Sequence, residues 1–369
     1  MKKQLSVCIL ILFCLFNILS STSSGQNITL KDSLLNRLTE LKKESGVKAL
    51  IACIRDGEKE LLTVALGESM TSIPANADMQ LRIGGVSETF LGTLLMILVD
   101  QGQVRLDDRI SKWIPEFLSA DKVTLAMLIK NTAGYKDYVM NKEFTELITK
   151  EPFRNISREE IFNFAVAGGE LNFLPGTEQR YSHTEFTILG EVLERATGKK
   201  MNQLYEENIF KPLGLKHTGY CINSDLPSPV LHAFSSDRGI YEDATFWNPS
   251  WTGDSGPLFS NLHDLCNWAK VFGKGKLLSP GSFKELTDRP EAAANPDLYF
   301  ASGFLVSNGW YAQNPSFNGY SGAFGYLPSK ELTIVVYTTQ SEDSKSEAQA
   351  FQIFKEIVKI VSPDNQINF

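Results

Sequence analysis

The sequence predicts an α/β fold: a mainly antiparallel sheet built from both ends of the chain, flanked by helices, with a mostly helical lobe inserted between the two halves. Three observations carry this expectation. Strand-like segments cluster at about 46–68 and again at about 301–340. The stretch from about 105 to 300 alternates helical patterns with turns. Amphipathic helices bracket the two strand clusters.

The first residues read as a leader. Lys2 and Lys3 precede an apolar run over residues 5–19, and residues 20–25 are small and polar. Residues 1–25 are therefore expected to be a secretory signal cut before Gln26, leaving 26–369 as one exported domain, periplasmic or secreted. Leu30, Leu34, Leu35, Leu38 and Leu41 recur at helical spacing and predict a helix over 28–45. Residues 47–55 and 60–66 are strand-like and meet at Asp56-Gly57, a hairpin signal. Residues 89–101 are apolar nearly all round, which predicts a buried helix. Pro175-Gly176 and Pro212-Leu-Gly214 place turns in the lobe. Residues 303–307 and 332–339 return to strand composition, and 346–360 predict a closing helix. A cleft where lobe meets sheet is the expected seat of a small-molecule or peptide ligand.

Composition excludes some classes. Loss of Lys2 and Lys3 with the leader leaves 34 basic against 43 acidic residues, an acidic balance that argues against a nucleic-acid partner. No later segment is apolar enough for a stable membrane span. Beyond the leader, Cys53, Cys221 and Cys266 form an odd, sparse set. Such a set favours buried free thiols and leaves one bridge open. His183, His217, His232 and His263 show no i, i+4 pair, so no metal is expected, and no motif calls for a cofactor.

Several segments, in order, carry a resemblance. They are Leu81-Arg-Ile-Gly-Gly-Val-Ser-Glu-Thr-Phe90, Leu106-Asp-Asp108 with Trp113-Ile-Pro115, Asn131-Thr-Ala-Gly134, and Leu174-Pro-Gly176 followed by Tyr181-Ser-His183. Ile209-Phe-Lys-Pro-Leu-Gly-Leu215 with Thr218, the stretch 256–264, and Tyr320-Ser-Gly322 with Gly325-Tyr326 complete the series. Together they resemble the β-lactamase-related serine hydrolases, of the class C β-lactamase, penicillin-binding-protein, D-alanyl-D-alanine carboxypeptidase and esterase type. The resemblance implies a β-lactamase/transpeptidase-like sandwich.

It also implies a chemistry. In that family an S-x-x-K serine at a helix N-terminus is the nucleophile, and the lysine or the tyrosine of Y-x-N takes its proton. Backbone near a third motif helps to hold the oxyanion. Here the serine position is Gly85 and the lysine position is Glu88. Tyr181 keeps the tyrosine, and His183 replaces the asparagine. The third motif is placed at Tyr320-Ser321-Gly322, with its glycine kept.

Loss of a catalytic serine costs on the order of 10⁶ in turnover. The first expectation is therefore a degenerate homologue that binds a peptidoglycan-peptide, ester or amide-like ligand without acyl-serine catalysis. Ligand contacts are expected from Tyr320, Ser321, Gly322 and Ser182. Glu88 and His183 are expected to pair beside Tyr181, either filling the space left by the lysine or serving as an acid/base group in an active enzyme. A third reading is an interaction protein with a silent cleft. Lys130 is a candidate surrogate base, with a solvated side chain as the plainer reading. Trp247, Trp251 and Trp310 are candidate rim residues.

Overall fold

A computed structural model describes residues 29–344 and 348–367. The leader assigned to 1–25 lies outside these residues. Helix α1 (Leu30–Ser45) opens on a capping box between Thr29 and Asp32 and closes on left-handed Gly46, and it buries Leu34, Leu38 and Leu41. Strands β1 (Ala49–Asp56) and β2 (Lys59–Met70) form the expected hairpin. Helix α2 (Ser87–Asp100) is buried along nearly its whole length. In the lobe, α3 (His183–Thr197) and α4 (Leu262–Gly273) are the long helices. Strands β3 (Leu298–Phe300), β4 (Leu305–Ser307), β5 (Trp310–Gln313), β6 (Tyr320–Leu327) and β7 (Leu332–Thr339) follow, and α5 (Gln349–Val361) closes the chain.

The main sheet runs β2-β1-β7-β6-β5-β4-β3, every pairing antiparallel, with Ile73–Pro74 beside β2 and Ser316–Phe317 beside β6. This is the predicted sandwich, with a sheet taken from both chain ends.

Both faces of the sheet are covered. In β1, Leu50, Ala52 and Ile54 pack towards α1 and α5, while Ala49, Ile51 and Cys53 pack towards the lobe. Double coverage erases the alternation of apolar and polar residues that marks a half-exposed strand. Strand β6 is buried at every position and includes Gly322 and Gly325, so its sequence gives little strand signal.

Cys53 on β1 is bonded to Cys266 on α4, pinning the sheet to its covering helix across 213 residues of chain. This corrects the expectation of free thiols. Two inward positions on different elements come within reach only through the fold. Cys221 remains free. No helix among the described residues is long and apolar enough to cross a membrane.

Candidate functional site

The short strand Leu81–Arg82 pairs with Leu258–Ser260 and delivers the chain to the cleft. The Ile83 carbonyl accepts from the Tyr337 hydroxyl at 3.0 Å, which ties the approach to β7. A tight 3-10 turn over Gly84–Val86 then leads into α2. Gly85 therefore stands at the N-terminal end of a helix on the cleft wall, and Glu88 lies one turn further on, fully buried.

Glu88 is held from two sides. Its Oε1 shares a short hydrogen bond with the Tyr181 hydroxyl, and its Oε2 accepts from Gln313 Nε2 at 2.9 Å. Gln313 ends β5, and its Nε2 also donates to the Gly303 carbonyl at 2.9 Å. A side-chain oxygen turned towards that carbonyl would be repelled, so the contact fixes which way the amide points. Burial pushes the Glu88 carboxyl well above the ordinary range, against the opposing pull of Tyr181 and Gln313. Burial and the adjoining Glu88 likewise push Tyr181 well up. Near neutral pH the Tyr181 hydroxyl keeps its proton and is no ready base.

Glu88 and His183 were expected as a pair, and they are not one. His183 Nδ1 meets Asp137 Oδ2 at 2.9 Å, and no hydrogen bond joins it to Glu88. The Tyr181 ring stands edge-on to the imidazole, with centroids 4.9 Å apart, and of these two side chains Tyr181 is the one that reaches the carboxyl. Asp137 precedes a short 3-10 turn, Tyr138–Met140, on a lobe loop, and only the tertiary fold brings it beside His183.

The third motif is also corrected. Tyr320, Ser321 and Gly322 lie on β6 in the interior of the sheet, and none lines the cleft. Tyr320 donates its hydroxyl to the Leu231 carbonyl at 2.5 Å. Ser321 Oγ accepts from the Ala350 amide at 3.2 Å, next to α5. A Cβ on Gly322 would meet Tyr337 at 2.6 Å and Pro315 at 2.7 Å. The segment that faces Gly85 is instead Gln313-Asn314-Pro315, at the end of the neighbouring strand. A usable signal was present, because Pro328–Lys330 turns β6 into β7 and makes the two a central hairpin. The strand preceding that hairpin, β5, is the one that ends beside Gly85.

Other candidates fall away from the chemistry. Ser182 is buried, with its amide donating to Asn131 Oδ1. Ser87 is buried and accepts from the Leu258 amide at 3.2 Å. Lys130 lies 4.0 Å from Glu285 and does not line the cleft. Of the tryptophans, Trp251 lines the cleft, Trp247 a neighbouring cavity, and Trp310 is buried against Phe354.

The cleft encloses about 490 Å³. Tyr181, Trp251, Phe300 and Phe317 give it aromatic walls, and the Tyr181 ring stays 38% exposed while its hydroxyl points inward to Glu88. Trp251 and Phe317 stack at 5.4 Å, and with Ser316 they also line a second cavity of about 380 Å³.

The family model described as Beta-lactamase matches residues 35–356. The chain belongs to the beta-lactamase family. This family member is 28% identical over 236 residues to the D-alanyl-D-alanine-carboxypeptidase/endopeptidase AmpH of Escherichia coli K12, covering 62% of the chain and 58% of AmpH. It is 28% identical over 244 residues to penicillin-binding protein 4 of Amycolatopsis lactamdurans, covering 64% and 62%. It thus matches under two thirds of the length of these curated relatives. Among solved structures, D-stereospecific amidohydrolase from Streptomyces sp. superposes with a TM-score of 0.76 at 24% identity, over 89% of this chain and 96% of that one. D-amino acid amidase from Ochrobactrum anthropi SV3, complexed with L-phenylalanine amide, gives 0.78 at 20% identity, over 90% and 97%. These two likenesses show that the beta-lactamase-family member shares their fold.

Proposed function

We propose that this chain is an exported, ligand-binding member of the beta-lactamase family that forms no acyl-serine intermediate. One observation carries the reading. The residue at the head of α2 is Gly85, and the group one turn later is the buried carboxyl of Glu88, with no cation in the lysine's place. A glycine cannot be acylated at a side chain, and the two Glu88 oxygens are already held by the Tyr181 hydroxyl and the Gln313 amide. None of the motif serines substitutes, since Ser87, Ser182 and Ser321 are all buried outside the cleft. Oxyanion contacts and binding alone leave roughly 10³–10⁴ over water, too little for a working hydrolase. A walled cleft of ligand size remains, which favours binding over a silent surface. Export is supported by the basic, then apolar, leader sequence and by the Cys53–Cys266 bond, since such bonds persist in oxidising compartments.

A fluorescent penicillin, a chromogenic cephalosporin and a p-nitrophenyl ester test the reading. No covalent label and no turnover above buffer are expected. A labelled adduct, located by peptide mass mapping, would overturn it and identify the substitute nucleophile.

A further inference from the structure

The absent side chain at Gly85 leaves a niche with a definite polarity. A Cβ placed there would lie 3.4 Å from Gln313 Oε1 and 3.6 Å from Glu88 Oε1. Gln313 is 6% exposed, and its Nε2 is committed to Glu88 and Gly303. Its Oε1 therefore points at the niche, and among the described residues it receives no hydrogen bond. Two acceptor oxygens thus converge on one small space, the reverse of the donor arrangement that would stabilise an oxyanion. This oxygen opens on the cleft, where a ligand N–H can donate to it.

The surroundings favour a positive charge. Among the described residues no Lys or Arg lines the chamber. The titratable side chains that line the chamber are Glu88, Tyr181, His183 and Tyr299, with Asp137 bound to His183. The exposed face of Tyr181 and the Phe300 ring, 5.5 Å apart, offer π-surface to a cation, and Trp251 and Phe317 offer apolar area to the rest of the molecule.

We propose that the niche beside Gly85 binds a primary ammonium group, seated between Gln313 Oε1 and Glu88 Oε1, with an apolar or aromatic body against the ring walls. The assignment rests on the non-acylating reading, because an acyl-enzyme would need this space for its nucleophile. It excludes ligands led by a carboxylate, for which the chamber has no counter-charge.

Three probes that share a phenylethyl body decide it by titration calorimetry and thermal shift: 2-phenylethylamine, 2-phenylethanol and 3-phenylpropionate. The amine is expected to bind at least about tenfold more tightly than either of the others. Gly85→Ala puts a methyl group in the niche at ordinary contact distance. It is expected to keep its Tm and weaken the amine about tenfold or more, leaving the alcohol little changed. Gln313→Leu, which deletes the acceptor, provides the same readout should Gly85→Ala fold poorly. Equal affinity for the three probes, preference for the carboxylate, no binding of the amine, or an unchanged amine affinity in both variants overturns the proposal. Each of those results leaves the non-acylating reading intact, since that reading falls only to covalent labelling or turnover.

Discussion

Glu88 is the residue on which the site turns. Its carboxyl keeps its proton to a higher pH in the folded protein than in the unfolded chain. The sign follows from proton binding: above about pH 4.5 the unfolded chain releases a proton that the folded state retains, so Glu88 lowers stability as pH rises towards its folded value. Glu88→Gln keeps the shape and a hydrogen-bonding oxygen but has no proton to lose. Its Tm is expected to match the parent near pH 4 and exceed it at pH 8, and parallel profiles across that range would contradict the buried-acid account. Reversing the substitutions probes the same site from the other side. Gly85→Ser alone is expected to be inert, with no base beside it. Gly85→Ser/Glu88→Lys/His183→Asn is expected to hydrolyse p-nitrophenyl acetate at least about tenfold faster than the single variant. At this scale much was legible in the sequence. Gly85, Glu88 and Tyr181 sit in local motifs, and local motifs survive without knowledge of the fold. Gln313 was not legible, because its role depends on sheet order. The partner of His183 was not legible either, because Asp137 arrives on a separate loop.

At the level of elements, α2 packs closely on the turn that precedes β4. A Cβ on Gly303, where φ is +91°, would meet the Glu88 carbonyl at 2.2 Å, and one on Gly92 would meet the Ser302 carbonyl at 2.1 Å. The helix and the 302–303 turn thus touch backbone to backbone. Gly92 lies inside a helix, where alanine normally gains about 1 kcal/mol. Here the clash reverses the sign, and Gly92→Ala is expected to lose roughly 1–3 kcal/mol in urea unfolding. The reading of elements from sequence worked best where one pattern dominated: α1, the β1–β2 hairpin and β7 lie where spacing placed them. It missed β3 and left β5 and β6 undivided within the strand cluster at about 301–340, because these strands are short, aromatic or glycine-bearing and packed against neighbours that sequence spacing does not reveal.

For the whole molecule, the Cys53–Cys266 bond joins the sheet to the lobe helix that covers it. Its closure of a long loop is expected to contribute about 2–5 kcal/mol, seen as a lower Tm on reduction or in Cys53→Ser/Cys266→Ser. The chain cleaved before Gln26, denatured without reductant, should titrate a single thiol, that of Cys221; three would contradict the bond. Neither partner announces the other in sequence, because 213 residues separate them and only the finished sandwich brings them together.

The parallel rings of Trp251 and Phe317 form a sill between two rooms, the second about 380 Å³ against 490 Å³ for the first. Two short molecules, one on each side, would bind without competing, and their isotherms would be independent. A single long molecule lying across the sill displaces both. Stoichiometry therefore measures the length of the natural occupant before its identity is known.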